Sequence, residues 1–143
     1  MAFRGTFEYT LDAKNRLTVP AKFRPALGDG AVLAKGTERC VAIWTPEAFD
    51  AYVQASLADM HPLAPQADRL NRFFQANSID QELDSAGRVM LPSWLLEHAA
   101  LTKDVVVTGV GNRLEVWDRA AWADYNANLD IAELTAHFGH TGS

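Results

Sequence analysis

An internal repeat constrains the fold of this chain more than any other feature. Residues 11–20 read LDAKNRLTVP, and residues 83–92, at an offset of 72, read LDSAGRVMLP. Each copy has Leu-Asp, three loop-type residues, Arg, three mostly apolar residues and Pro. Three aromatic positions also repeat, at an offset of 73: Trp44, Phe49 and Tyr52 correspond to Trp117, Trp122 and Tyr125. The chain is therefore interpreted as two copies of one unit.

Hydrophobic alternation and turn chemistry predict the same element order in both halves. Phe3, Phe7 and Tyr9 alternate with polar residues, as in a half-buried strand, and residues 12–15 then interrupt the pattern with turn formers. We expect strand, loop, strand, short helix, two paired strands and a helix in each half, with a hairpin around the loop. The expected segments are a first repeat (1–60), a connecting helix (61–76), a second repeat (77–128) and a frayed tail (129–143).

Neither half has enough apolar area to fold alone. Each has roughly 60–70 residues, a length at which a separate hydrophobic core is marginal. The economical solution is one shared β core with pseudo-two-fold symmetry and helices outside it. The sequence therefore predicts an α+β fold.

The charge of the chain is distributed unevenly between the two copies. The net charge of −5 by itself argues against a nucleic-acid partner. However, residues 1–24 are net +3, whereas residues 80–98 are net −3. Several cations on one small surface are what neutralisation of phosphates requires. The cations of the first copy are Arg4, Lys14, Arg16, Lys22 and Arg24.

A purely structural role is the simpler interpretation for part of each loop. A loop aspartate accepts hydrogen bonds from backbone N–H groups just ahead of it, and glycine permits positive φ. We assign Asp12, Asp84 and Gly87 to loop shaping on these grounds. Arg88 is assigned with them, because it lies among acidic residues that repel phosphate. Arg16 is the better DNA contact, since a guanidinium can bind a guanine edge through two hydrogen bonds.

Other functions find little support in the sequence. We see no secretory signal and no apolar run long enough to span a membrane, and the single Cys40 suggests a reducing cytoplasm. His137 and His140 have a spacing that could hold one ion, but two ligands do not make a metal site. No nucleophile motif, phosphate loop or convincing acid–base pair is present. We therefore expect no enzymatic activity and no cofactor.

The two loops and their flanks resemble the MraZ family. The resemblance rests on Phe3-Arg4-Gly5, on residues 11–16 and 19–24, and on the second loop at 84–88. It covers essentially the whole chain except the C-terminal tail. The family usually has Gly before the first Arg, where this chain has Asn15, the next-best residue for a left-handed position. The implied fold is a duplicated swapped-hairpin β-barrel of the AbrB/SpoVT-like group, with peripheral helices.

The resemblance also implies a function. MraZ-like proteins are DNA-binding transcriptional regulators of the promoter of the division and cell-wall gene cluster. The implied partners are double-stranded DNA with short tandem repeats and further copies of the chain in a ring, in the cytoplasm at the nucleoid and not at a membrane. The expected DNA contacts are Arg4, Lys14, Asn15, Arg16, Lys22 and Arg24. The alternative is an oligomeric scaffold or an antitoxin-like partner-binding protein without an operator.

Overall fold

The computed structural model describes residues 2–141, and the side chains of residues 2–137. In this part of the chain, the strands are β1 (Phe3–Thr10), β2 (Arg16–Thr18), β3 (Ala31–Lys35), β4 (Val41–Trp44), β5 (Ser78–Gln81), β6 (Arg88–Met90), β7 (Asp104–Gly111) and β8 (Leu114–Asp118). The α-helices are α1 (Pro46–Leu57), α2 (Pro65–Ala76), α3 (Ser93–Ala99), α4 (Arg119–Ala127) and α5 (Ile131–Thr141). Two short 3-10 helices, Ala21–Phe23 and Pro25–Leu27, follow β2. The fold is therefore α+β, as expected.

The strands form a six-stranded antiparallel sheet and a separate two-stranded ribbon. The order in the sheet is β1-β7-β8-β4-β3-β5, and the ribbon consists of β2 and β6. The first strand of each half pairs with the third strand of the other half, as β1 pairs with β7 and β5 with β3. The two halves therefore share one sheet. Over residues 2–141, the hydrogen-bonded strands make two sheets and not the single closed barrel that we expected.

The expected hairpin between the two strands that flank the first loop is wrong. β1 pairs along its whole length with β7, from Phe3 opposite Gly111 to Thr10 opposite Asp104. β2 pairs instead with β6 of the other half. A local hairpin would leave the apolar residues of β2 without the second repeat that buries them. Pairing across the repeats satisfies the backbone and closes the core together.

Side chains of the sheet alternate between two apolar layers. The layer that covers the ribbon contains, among others, Leu17, Leu33, Ile43, Val89, Val107 and Leu114. The opposite layer, under α1 and α2, contains Val32, Ala34, Ala42, Trp44, Phe49, Val53 and Phe74. Because side chains of adjacent residues in a strand point to opposite faces, the ribbon and the α1–α2 pair lie on opposite sides of the sheet.

The C-terminal segment differs from the expected frayed tail. Helix α5 occupies Ile131–Thr141, and Asp130 Oδ1 accepts a hydrogen bond from the Glu133 N–H at 3.1 Å. This contact is an N-cap, which satisfies one of the unpaired amides of the first turn. The expectation was wrong over residues 131–141, and residues 142–143 lie outside the described part. Within residues 2–141, no helix is both long and apolar enough to span a membrane.

Candidate functional site

The first loop is closed by one aspartate. Asp12 Oδ1 accepts hydrogen bonds from the backbone N–H groups of Lys14 and Arg16, both at 2.9 Å, and Oδ2 accepts one from Arg16 Nε at 2.6 Å. The Asn15 N–H donates to the Asp12 carbonyl at 2.9 Å, and Asn15 takes the left-handed conformation with φ of 58°. The carboxylate therefore holds both the loop backbone and the arginine side chain.

The second loop repeats this geometry. Asp84 Oδ1 accepts hydrogen bonds from the N–H groups of Ala86 and Arg88, both at 2.9 Å, and Oδ2 accepts one from Arg88 Nε at 2.9 Å. Gly87 takes the left-handed position, with φ of 75°. The two loops thus have one shape, with asparagine in one copy and glycine in the other at the residue before the arginine.

The β2–β6 ribbon brings the two loops onto one surface. Leu17 pairs with Val89, and both side chains are buried. The ribbon is extended into each loop, since the Val19 N–H donates to the Gly87 carbonyl and the Leu91 N–H to the Asn15 carbonyl, both at 2.9 Å. The alternate residues then form the outer face of the ribbon: Arg16, Thr18, Arg88 and Met90.

Both loop carboxyls are held in the charged form. The backbone N–H of Arg16 is the largest cause of the lowered pKa of Asp12, and the Arg16 guanidinium adds to it against an opposing effect of burial. The N–H and guanidinium of Arg88 lower the pKa of Asp84 in the same way. Arg88 Nη1 also lies 3.8 Å from Asp12 Oδ2, so the two ion pairs are in contact. Opposite charges and N–H donors favour the carboxylate in both loops.

The two arginines are held by one edge of the guanidinium and stay accessible. Their side chains are 32% exposed for Arg16 and 31% for Arg88. Among residues 2–137, no hydrogen bond occupies the terminal nitrogens of Arg16. An arginine oriented through Nε loses less conformational freedom when its terminal nitrogens bind a partner. The site therefore presents two pre-oriented donors on one face.

Arg24 joins the ribbon to the second loop. Its Nε donates to the Val19 carbonyl at 2.9 Å. Its side chain also lies against the backbone of Gly87, where an added Cβ would meet Arg24 Cδ at 2.6 Å. Arg24 is therefore adjacent to the site, with part of its hydrogen-bonding capacity used inside the protein.

Lys22 and Arg4 lie away from the two loops. Lys22 Nζ is 5.0 Å from the ring centroids of both Phe7 and Phe23, a cation–π arrangement beside β1. Arg4 pairs with Val110 near the start of β1, about 20 Å along the strand from Thr10 at roughly 3.3 Å per residue. The six residues expected to contact DNA together are thus spread over a surface that is longer than the two loops.

Sequence reasoning separated Arg88 from Arg16, but the structure places them side by side in the same geometry. The signal that could have joined them was the repeat itself, because identical spacing predicts identical local structure. The acidic residues near Arg88 in the sequence outweighed this signal.

In the described residues, no group of three or more His, Cys, Asp or Glu side chains could hold a metal ion, and the side chain of His140 lies outside that part.

Comparison with known proteins agrees with the duplication. The family model described as "MraZ protein, putative antitoxin-like" matches the chain twice, over residues 2–73 and 74–141. The chain belongs to the MraZ family. The family predicted from the two loops is confirmed, and the MraZ matches coincide with the two halves of the sheet.

Similar proteins named "Transcriptional regulator MraZ" match over most of this chain. The one from Thermoanaerobacter pseudethanolicus is 38% identical over 135 residues, which cover 93% of this chain and 94% of the relative. The one from Desulfitobacterium hafniense strain Y51 is 37% identical over 134 residues, covering 94% and 93%. The one from Symbiobacterium thermophilum is 38% identical over 122 residues, covering 85% and 88%.

Proposed function

We propose that this chain is a DNA-binding transcriptional regulator and that the outer face of the β2–β6 ribbon, with its two loops, contacts the duplex. The observation that carries the proposal is the pairing of β2 with β6, which places Arg16 and Arg88 on one accessible face. A two-stranded ribbon has a size that the major groove admits. The relatives named as transcriptional regulators support the regulatory role.

Each part of this surface suits a different contact. Arg16 and Arg88 present guanidinium groups that can bind guanine edges through two hydrogen bonds, and Lys14 at the loop tip is placed for phosphate. Met90, which is 52% exposed, offers an apolar contact to a thymine methyl group. Asn15 supplies an amide at the same tip. The remaining proposed contacts, Arg24, Lys22 and Arg4, would serve phosphates of a duplex that continues along β1.

One chain offers few cations, so multivalent binding forms part of the proposal. Several copies in a ring, each on one short box of a tandem array, gain affinity because linked weak sites act at high effective concentration. We propose the promoter of the division and cell-wall gene cluster as target, in the cytoplasm at the nucleoid. We also propose that the exchange of first strands between the halves is a swapped-hairpin arrangement.

Salt-dependent DNA binding tests the contact surface. A DNA fragment from upstream of the chain's own gene, carrying tandem boxes, is titrated by gel shift at several salt concentrations. Arg16→Gln should reduce affinity by roughly 5–150-fold, the worth of one bidentate base contact, and should relax specificity at the base pair that Arg16 contacts, whereas Lys14→Gln should reduce the salt slope by about one. Arg88→Gln should act in the same direction as Arg16→Gln. A single isolated box should bind much more weakly than the array.

The matched control is Arg69→Gln, because Arg69 is an exposed arginine on α2, on the other side of the sheet from the ribbon. It removes the same charge and should leave the affinity unchanged. Equal losses in the Arg16 and Arg69 variants would refute the ribbon as the contact surface. Tight binding to one isolated box would refute the multivalent part.

The second candidate is an oligomeric, antitoxin-like protein whose partner is another protein. The wording of the family description favours it. Binding to DNA that does not change with salt concentration, or no binding to the upstream fragment, would support this candidate over the regulator, because phosphate contacts impose a steep negative salt slope.

A further inference from the structure

The duplication places two equivalent aromatic clusters on the helix-covered face of the sheet, and a second helix covers the first cluster. Trp44 packs against Phe49 and Tyr52 of α1, with ring centroids 5.8 and 4.8 Å apart. Helix α2 covers this cluster, and Phe74 meets the Tyr52 ring edge-on at 5.6 Å. As a result, Trp44 and Phe74 are only 3% and 7% exposed. The first half thus shows what such a cluster accepts, namely a helix with an apolar face.

The second cluster has a similar geometry, but no second helix lines it within the described residues, although Trp117 itself is only 6% exposed. Trp117 packs against Trp122 and Tyr125 of α4, with centroids 5.4 and 5.0 Å apart. Tyr125 is 38% exposed, and the neighbouring Val110 of β7 is 39% exposed. These side chains line a cleft of about 350 Å³. Helix α4 has no buried residue, in contrast to α1.

Three of the residues that line this cleft have polar groups that are paired with each other, and Thr37 and Glu38 complete its polar lining. Trp117 Nε1 donates to Glu115 Oε1 at 3.1 Å, and Arg113 Nη2 donates to Glu115 Oε2 at 3.1 Å. The Arg113 guanidinium also lies 5.1 Å from the centroid of the Trp44 ring. The aromatic walls and the Arg113–Glu115 pair favour an apolar occupant, because burying a charged occupant without a partner is costly.

Helix α5 has the complementary exposed surface. In element order α5 follows α4 as α2 follows α1. Ile131 and Leu134, one helical turn apart, are 61% and 46% exposed, and Leu129 just before the helix is 39% exposed. All residues from 131 to 137 are exposed. Over residues 131–137, the helix therefore presents apolar side chains to solvent.

We propose that α5 of one copy docks in the Trp117–Trp122–Tyr125 cleft of a second copy, as α2 docks on α1 within the chain. The connectors favour a second copy over the same chain. Residues 58–64 separate α1 from α2, whereas only residues 128–130 separate α4 from α5. The longer connector lets α2 return across α1, whereas no described residue of α5 lines the Trp117 cleft of its own chain.

Docking of this kind is head-to-tail, because each copy gives a helix on one side and accepts one on the other. Such contacts close into rings when the rotation between copies allows it. The inference rests on the proposed function in one respect: an assembly of this kind would present several copies of the β2–β6 ribbon to the DNA. The aromatic cleft and the ribbon are otherwise separate surfaces, so each can fail without the other.

Cross-linking between different chains tests the docking directly. A Leu134→Cys chain is mixed with a size-tagged Tyr125→Cys chain under mild oxidation, without DNA. The native Cys40 is 1% exposed and does not compete. We expect a disulfide-linked dimer with one chain of each kind. The matched control is Leu63→Cys mixed with Tyr125→Cys, because Leu63 is 85% exposed but lies in the α1–α2 connector, and it should give no such dimer.

The mass in solution gives a second, independent measurement. By light scattering, Leu134→Ser should shift the assembly toward the monomer mass, whereas Leu63→Ser should not, with circular dichroism as the check of folding. The proposal is overturned if no mixed dimer forms, if a Leu134→Cys/Tyr125→Cys chain cross-links within itself, or if Leu134→Ser keeps the full mass. A monomeric wild-type chain would also overturn it. None of these results depends on Arg16, so they leave the proposed DNA surface to its own test.

Discussion

A single methyl group at Gly87 should disrupt the contact between the second loop and Arg24. Gly87 has φ of 75°, and an ideal Cβ there would lie 2.6 Å from Arg24 Cδ and 2.7 Å from Cζ. Carbon atoms in favourable contact are about 3.5–4.0 Å apart. We therefore expect Gly87→Ala to displace the Arg24 side chain and break its 2.9 Å hydrogen bond from Nε to the Val19 carbonyl.

The expected magnitude has two parts. Alanine in the left-handed conformation costs about 1–2 kcal/mol. Losing a hydrogen bond from a charged donor costs about 1.5–3 kcal/mol more. Asn15 is the matched control, because it occupies the same left-handed position of the first loop, with φ of 58°, and already carries a Cβ. Asn15→Ala changes only the conformational preference and should cost at most about 1 kcal/mol.

Urea unfolding, followed by tryptophan fluorescence and circular dichroism, measures both variants. The protein concentration is held constant, since self-association stabilises the folded state by mass action. In an Arg24→Ala background the obstructing side chain is gone, and Gly87→Ala should then cost only about 1–2 kcal/mol. The reasoning is refuted if Gly87→Ala costs no more than Asn15→Ala, or if its cost is the same with and without Arg24.

Three further predictions concern acid stability, a thiol and a helix cap. The carboxyls of Asp12 and Asp84 have a lowered pKa in the folded chain, so they stabilise the fold at pH values above the ordinary pKa of 3.8. This stabilisation is lost as the pH falls through the folded pKa. In urea unfolding at stepped pH, Asp84→Asn should lose less stability in acid than the wild-type chain. Burial raises the pKa of the Cys40 thiol, so labelling with a thiol reagent should follow unfolding, and fast labelling of the native protein would contradict this. Thr45→Ala removes the 3.2 Å N-cap bond from the Ala48 N–H and should lower the free energy of unfolding by about 1 kcal/mol, whereas Thr45→Ser should keep it.

The elements that were predicted well depend on neighbours in the sequence. A helix was expected at the end of the first half, and α1 begins there at Pro46, where Thr45 is the N-cap and Glu47 lies in the first turn. The paired strands β3–β4 and β7–β8 were expected from apolar runs separated by turn residues, and both pairs are antiparallel. The connecting helix was likewise expected where α2 lies. Local chemistry is sufficient for such elements.

The expectations that were wrong concern strand partners that are distant in the sequence, or a local signal that was given too little weight. The hairpin around the first loop was expected because β1 and β2 are adjacent in the chain, but adjacent strands pair only when that pairing also buries their apolar side chains. The tail was expected to fray because the last residues of a chain are often poorly ordered, although Asp130 caps α5. The sequence carries no sign that the Trp117 cleft, unlike the equivalent Trp44 cluster, has no second helix over it within the described residues.

The shape of the two loops follows from the sequence alone. Each aspartate bonds to groups no more than four residues ahead, so the spacing of Asp, Asn or Gly, and Arg is sufficient to close the turn. Only the tertiary structure decided that the loops lie side by side. That arrangement arises because Leu17 and Val89, 72 residues apart, are buried together in a core that both repeats complete. Hydrophobic burial can bring together apolar residues at any separation along the chain. The sequence therefore does not show which distant strands will pair, and the surface that Arg16 and Arg88 share was visible only in the folded chain.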